Sequence, residues 1–512
     1  MAKPQLAALS ASRVLASNAG INLATAAASA LAAALALPVL VHHLGLARFG
    51  ALTLIWAVAR YSSFCDLGIG AALTTMIAEN LAGDRETRSL ALIWTGLALM
   101  AGVGALLGLV LFALSPSLIR LLKLAPELQG EVAMALHLLA ATLPFLLSAG
   151  AWRGVLAAFQ RFDLINAVRG PLDLICYLGL TVLALFSHNL ALMVGILMAA
   201  RVVSWTFYWL IVMRLLPELR RSPRLPDRFS LRALCSFGGW MTIAQVINPL
   251  MADLDRFLIG SWLSLDAVAY YSTPAEVVQK LWQLPLMLEG TWFAAFAHRL
   301  AQPDRAVARL FAAGDKLIFC ALLPPTVILA LFAREILGIW IGEHFAVAAA
   351  PVLSWLSLMV LICGFSEMPL LIIQAAQRPD LVAKVRLVQL PIYPLLMWQL
   401  IRHQGVAGAA LAQVIRLGFE TVVLSLLAHH LVPNLTSPRY RMAWLSGALA
   451  TVLIISHLEL TMPAKLAVVT CALALFLPLA WVGLLDSAER AQLRRWRSQA
   501  ARRLPGLRPA AG

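Results

Sequence analysis

The amino-acid sequence predicts an all-α polytopic membrane protein of fourteen transmembrane helices, set out as two parallel six-helix halves with two further helices at the C-terminus. Three observations carry this. Hydrophobic residues fill 61% of the 512 positions and charged residues only 13%, against roughly 45–50% and about 25% in soluble domains, and the mean hydropathy is +0.84. Apolar stretches near the ~20 residues that cross ~30 Å of hydrocarbon recur from end to end, and in lipid a backbone of this kind closes its hydrogen bonds as helix. Basic residues gather in alternate connections.

Residues 21–41 form the first span. No small-residue cleavage pattern follows a short apolar core there, so it reads as a retained helix and not a signal peptide. Residues 49–79 are too long to cross straight, and a bend is expected near Gly68 and Gly70. Spans at 89–114, 132–151, 170–187 and 190–213 complete the first half, 1–214. A basic linker, 215–233, leads to spans at 234–262, 274–296, 312–333, 346–373, 387–401 and 406–429, which make the second half, 234–433. Spans at 442–458 and 465–485 form an appendage, 434–486, and the arginine-rich tail 487–512 reads as a basic surface helix for anionic head groups.

An even number of spans puts both termini on one side. With the N-terminus in the cytoplasm, the inside connections hold 29 of the 40 lysines and arginines and the outside connections 6. This asymmetry supports fourteen helices with both ends in the cytoplasm. The net charge of +15 is mostly this topology signal, and it gives no reason to expect nucleic acid as a partner. Cys65, Cys176, Cys235, Cys320, Cys363 and Cys471 are isolated in apolar segments without metal spacing and read as packing residues.

The two halves share a written phrase. "QRFDLINAVR" (160–169) and "QRPDLVAKVR" (377–386) agree at six of ten positions, 217 residues apart, and both fall in inside connections, after spans four and ten. Leu215–Pro217 answers Leu431–Pro433, and Asp84–Arg85 answers Asp304–Arg305, at nearly the same offset. Six intervening spans give the halves the same orientation, hence a parallel repeat. The aspartates and arginines of these connections read as helix caps and interface anchors.

Ionisable residues at membrane depth are expensive and each is a candidate for function. Five are basic: Arg60, Arg201, Arg256, Lys280 and Arg416. Arginine's planar fork binds oxyanions bidentately, so these five are the candidate substrate-binding residues. Asp253 with Arg256, Glu276 with Lys280, and Arg416 with Glu420 are three or four positions apart and also read as internal pairs. Arg60 and Arg201 have no acidic residue at that spacing, which makes them the sharper candidates. Asp66, Asp253 and Glu276 are the candidate coupling-ion residues, with hydrogen bonding at a kink as the other reading of Asp66. Trp205, Tyr208, Trp209, Tyr270 and Tyr271 invite sugar stacking, but an interfacial aromatic belt is the ordinary explanation.

"HHLGLARFGALTLIWAVARYSSFCDLGIGAALTTMIAENLAGD" (42–84) resembles the start of bacterial polysaccharide flippases, with their Leu-Gly, Phe-Gly, Asp-Leu-Gly and charged end of helix two. "DLDRFLIGSWLSLDAVAYYSTPAEVVQKLWQLPLMLEGTWFAAFA" (253–297) is similar to the matching part of their second half. After helix eight the chain departs from the family pattern, carrying Ala297, His298 and Arg299 where a proline and serine are usual. The resemblance is to the oligosaccharide-lipid branch of a superfamily that also holds multidrug exporters and lipid II flippases. It implies two six-helix lobes around a central cavity that opens alternately to either side. The implied substrate is an isoprenoid diphosphate carrying a short glycan, its tail left among the membrane lipids. Polysaccharide-assembly proteins are the partners such a transporter would meet, although no residue here points to one.

Two other functions are weighed against this. A multidrug or major-facilitator exporter finds a faint echo in "AGDRETRS" after helix two, but that loop lacks the second glycine and basic run, and an organic-cation exporter favours acidic cavities. A membrane glycosyltransferase or polymerase needs a sizeable outside loop, whereas the outside connections here are short. With no nucleotide loop, metal cluster or catalytic triad in view, the sequence reads as a transporter without cofactor and not as an enzyme.

Overall fold

A computed structural model describes residues 28, 31–64, 69–82, 86–122, 124–159, 161–221, 230–232, 234, 251, 253–300, 306–433, 435 and 462–479. Every described element is an α-helix. In chain order these are α1 (Leu31–Leu44), α2 (Leu46–Phe64), α3 (Ile69–Ala82), α4 (Glu86–Leu121), α5 (Pro126–Ala158), α6 (Phe162–Ala184), α7 (Leu190–Leu215), α8 (Pro217–Arg221), α9 (253–262), α10 (Leu265–Leu300), α11 (Ala306–Leu331), α12 (Ala333–Trp340), α13 (Glu343–Ala375), α14 (Pro379–Leu431) and α15 (Met462–Leu479). The expected span at 442–458, the tail, the first part of the expected span at 234–262 and Asp66 lie outside the described residues.

Seven helices among the described residues are long and apolar enough to cross a membrane. Their outer faces agree. On α4, Leu106, Leu109, Val110, Phe112 and Leu114 are exposed while Leu92, Ile93 and Met100 are buried, an apolar surface that suits lipid and would aggregate in water. Several helices run past their apolar stretches at both ends: α5 covers 126–158 where hydropathy marks 132–151. The helical backbone continues into the polar interface because its hydrogen bonds are internal, whereas hydropathy reports only the hydrocarbon-facing length. α12 is an eight-residue helix in the connection after α11, which the hydropathy reading leaves without structure.

α14 is 53 residues long, about 80 Å if straight, far more than a bilayer needs. Gly405 has φ 58° and ψ −135°, a conformation that L side chains resist, and there the helix doubles back. A Cβ on Gly408 would lie 2.2 Å from the Leu400 carbonyl oxygen, so the two arms leave the turn in close contact. The sequence expectation of separate spans at 387–401 and 406–429 is met by these arms.

The repeated phrase is a helix corner. In the first copy the Arg161 N–H bonds the Leu156 carbonyl, and in the second the Arg378 N–H bonds the Ile373 carbonyl, at 2.9 and 3.0 Å. Each is a bond back over five residues that closes the end of a helix. Gln377 takes a left-handed φ of 58°. The next helix then starts with an aspartate as its second residue, Asp163 or Asp380, where the helix dipole favours negative charge.

The chain divides into two compact units. One contains 1–280, 337–352 and 380–416, the other 281–336, 353–379 and 417–512. In the first, α5 is the pillar: it packs against α2, α3, α4, α6 and α7 and buries a run from Leu143 through Leu156 broken only by half-buried Pro144, Phe145 and Arg153. In the second, the Phe319 and Phe365 rings meet edge to face at 5.6 Å, Ala330 and Leu358 form a core with Val327 and Trp355, and Glu335 on α12 pairs with Lys465 on α15 at 2.6 Å.

Candidate functional site

Within the first unit, polar groups collect where α9, the start of α10 and both arms of α14 come together. Asp255 is 0% exposed. Each of its carboxylate oxygens accepts a phenol: Tyr271 on α10 donates to one and Tyr393 on the first arm of α14 to the other. Tyr393 and Arg416 are 23 residues apart, yet the Arg416 guanidinium lies 5.1 Å from the Tyr393 ring centre, because the arms fold back at Gly405. Arg416 Nε also donates to Gln413 Oε1 at 2.7 Å. Beside them Arg256, 4% exposed, reaches Asp253 at 3.4 Å and Glu276 at 3.1 Å.

The depth of this cluster follows from counting. Asp255 and Tyr271 lie eight and seven residues either side of the turn at 263–264, and Tyr393 and Arg416 twelve and eleven either side of Gly405. At 1.5 Å per residue these put the groups about 11–18 Å in from the turns, well inside a ~30 Å hydrocarbon slab. A carboxylate there persists only with hydrogen bonds or counter-charge, and Asp255 has both phenols.

The sequence candidates fall unequally on this site. Asp253, Arg256, Glu276 and Arg416 belong to it, and the i,i+3 pairing of Asp253 with Arg256 is present. Glu276, matched by spacing to Lys280, bonds Arg256 on the neighbouring helix, and Lys280 Nζ stands 5.3 Å over the Tyr177 ring. Arg60 is within α2, with its side chain outside the described residues. Arg201 is elsewhere, on α7, among Leu197, Met198, Ser204 and Tyr208, all buried, and on the opposite side from exposed Val203, Phe207 and Leu210. It is partly exposed and bonds no described residue. One turn on, the Trp205 indole donates to Ser148 on α5 at 2.8 Å, packs on Phe145 and lies parallel to Trp209.

Asp255, Tyr393 and Gln413 were not singled out by sequence, and Tyr271 was singled out only as an aromatic for stacking or the interfacial belt. The signal for Asp255 is present, a second acidic residue within "DLDR", but the i,i+3 rule draws attention to Asp253. Among the described residues no group of three or more His, Cys, Asp or Glu side chains has a metal-binding arrangement.

Residues 15–294 match the family described as polysaccharide biosynthesis protein. The chain belongs to this family. The resemblance read from 42–84 and 253–297 is thereby borne out. A Shigella flexneri protein named as a candidate O-antigen transporter is 26% identical over 390 residues, covering 76% of this chain and 91% of that protein. In fold, the chain is similar to the lipid II flippase MurJ in an inward closed conformation, with TM-score 0.70 and 11% identity over 92% of this chain and 99% of that one. It is also similar to an inward-facing multidrug resistance MATE transporter of the MOP superfamily, with TM-score 0.64 and 15% identity over 82% and 96% of the two chains. The family member is therefore an all-helical, multi-pass membrane protein with the fold of these transporters, and the count of fourteen spans is not fixed by them.

Proposed function

We propose that the protein flips an isoprenoid-diphosphate-linked oligosaccharide from the cytoplasmic to the periplasmic leaflet of a bacterial inner membrane, by alternating access, for cell-surface polysaccharide synthesis. It acts as a transporter and not as an enzyme, with both termini cytoplasmic and with fourteen spans in lobes at 1–214 and 234–433, joined by the 215–233 linker and followed by 434–486 and the tail. The observation that carries the substrate class is Arg201. An arginine in the middle of a membrane helix, on its protein-facing side and bonding no described residue, is costly and is stabilised by an anion such as a diphosphate. Family membership supplies the glycan.

Arg60 and Lys280 remain candidate head-group contacts. Arg256 and Arg416 are already engaged by protein groups and serve the second site. That site is the coupling site in this reading: a carboxylate buried at membrane depth suits uptake of one proton or one monovalent cation, with Asp255 as the receiving carboxylate and Asp253 and Glu276 as neighbours held by Arg256.

The fold is shared with multidrug transporters, so a drug exporter is the alternative. The two separate in a strain lacking its own glycan-lipid flippase, with surface polysaccharide and drug tolerance measured side by side. Restored polysaccharide without drug tolerance supports the flippase; the reverse supports the exporter.

A further inference from the structure

The four segments that meet at Asp255 change character at the same level. Toward the 263–264 and Gly405 turns their buried faces are apolar. Ile259 lies one turn beyond Asp255, Val268 one turn before Ser272, Met397 one turn beyond Tyr393 and Ala409 one turn before Gln413, and all four are buried. Positions three or four apart share a helix face, so these side chains form a rung across the same stripe that carries the polar groups. Away from the turns the stripe on α10 and on both arms of α14 stays polar and buried, at Glu276, Gln389 and Arg416.

Several atoms of that polar stretch are unanswered by protein. Gln389, 4% exposed and one turn from Tyr393, has neither its amide oxygen nor its amide nitrogen hydrogen-bonded. Ser272 Oγ and Arg256 Nη1 are in the same position. Buried polar atoms of native proteins nearly always find a partner in protein or ordered water. A ligand that serves both halves of one amide must accept and donate. A metal ion or a simple anion does only one of these, whereas water does both.

We infer that the stretch on the side away from the turns is hydrated: ordered water molecules answer Gln389, Ser272 and Arg256 Nη1 and reach Asp255 from that side, while the apolar rung keeps the turn side dry. In the orientation proposed above the wet side is the cytoplasmic one. In this conformation the Asp255 carboxylate then exchanges protons with the cytoplasmic side alone. This last consequence rests on the coupling role given to Asp255; the hydration itself does not.

X-ray radiolysis of the full-length purified protein tests it, because hydroxyl radicals made from a bound water label the side chains beside it even without a path for bulk solvent. Tyr271 and Tyr393 should be modified about tenfold faster than Met397, even though a thioether is intrinsically the more reactive group. Equal modification, or unmodified tyrosines with modified Met397, would overturn the proposal. Gln389→Leu gives an independent reading. If the amide is bridged by water, the substitution lowers the melting temperature and slows Tyr393 labelling; if the site is dry, removing an unanswered amide raises the melting temperature, and the proposal is wrong. Neither measurement uses substrate, so a wet stretch in a protein that restores no polysaccharide would sink the flippase reading alone.

Discussion

Arg48 holds Glu131 with two N–H groups, Nε to Oε2 at 3.2 Å and Nη2 to Oε1 at 2.9 Å, while Glu131 Oε2 also accepts the Leu190 N–H at 2.9 Å. One carboxylate thus ties the start of α2, the start of α5 and the start of α7 together. Glu131→Ala should lower stability by about 1–3 kcal/mol, since it frees a backbone N–H as well as the guanidinium, and Arg48→Ala should lower it by less. Thermal melts in detergent check this; equal effects would mean that the Leu190 bond contributes nothing.

Tyr393→Phe and Tyr271→Phe each take one phenol from Asp255. Either should reduce folded protein, because a buried carboxylate short of a donor is destabilised by about 1–3 kcal/mol. Asp255→Asn should keep the fold and lose transport. Glycan-lipid flipping by Asp255→Asn at the parental rate would remove it from the coupling role.

Arg201→Ala should abolish flipping with normal membrane yield, since no described residue is left without its partner. Arg416→Ala should instead reduce the yield of folded protein, because it strips the charge from beside Asp255 and the donor from Gln413. Complementation with quantified membrane protein separates the two, and full activity in Arg201→Ala would end its role in substrate binding.

Glu335 lies outside the spans, and its carboxyl is held below the usual range. Burial works against this, and the hydrogen bond and charge of Lys465 outweigh it. A depressed folded value means that the contact stabilises the protein above the unfolded carboxyl's pKa of about 4.5 and that this is lost as pH falls through the lower folded value. Protease access to α15 should therefore rise on acidification below that range in the parent. Lys465→Ala should show the high access already at neutral pH.

Cysteines placed at Asp163 and Lys384, both exposed in the two helix corners, should react with an impermeant reagent from the cytoplasmic side alone. Labelling of one from each side would break the parallel repeat.

Much of the fold was legible because it is one-dimensional information. Span length, the Gly405 interruption between two apolar runs and the recurrence of the corner phrase all lie along the chain. The site was legible only in part, for the same reason. Asp253 and Arg256 meet within one helix turn and spacing finds them, but Asp255 is bound by a tyrosine 138 residues away, and no local rule links them. Glu276 shows the same limit: its bond to the Arg256 guanidinium, at 3.1 Å, crosses to another helix, where spacing along the chain gives no sign of it.

The single-residue turn at Gly405 also bears on how this protein enters the bilayer. With one glycine between them, the arms of α14 have no loop to lend and must be inserted as a pair. A lone arginine at mid-span is disfavoured by about 2.5–3.5 kcal/mol during insertion. In the closed hairpin Arg416 brings Gln413 on its own arm and the face of Tyr393 on the other, so its screening is available before any other helix arrives. The hairpin is thus a ready-made insertion cassette, and a side chain at Gly408, by prising the arms apart, would strand that arginine in oil at the moment of synthesis.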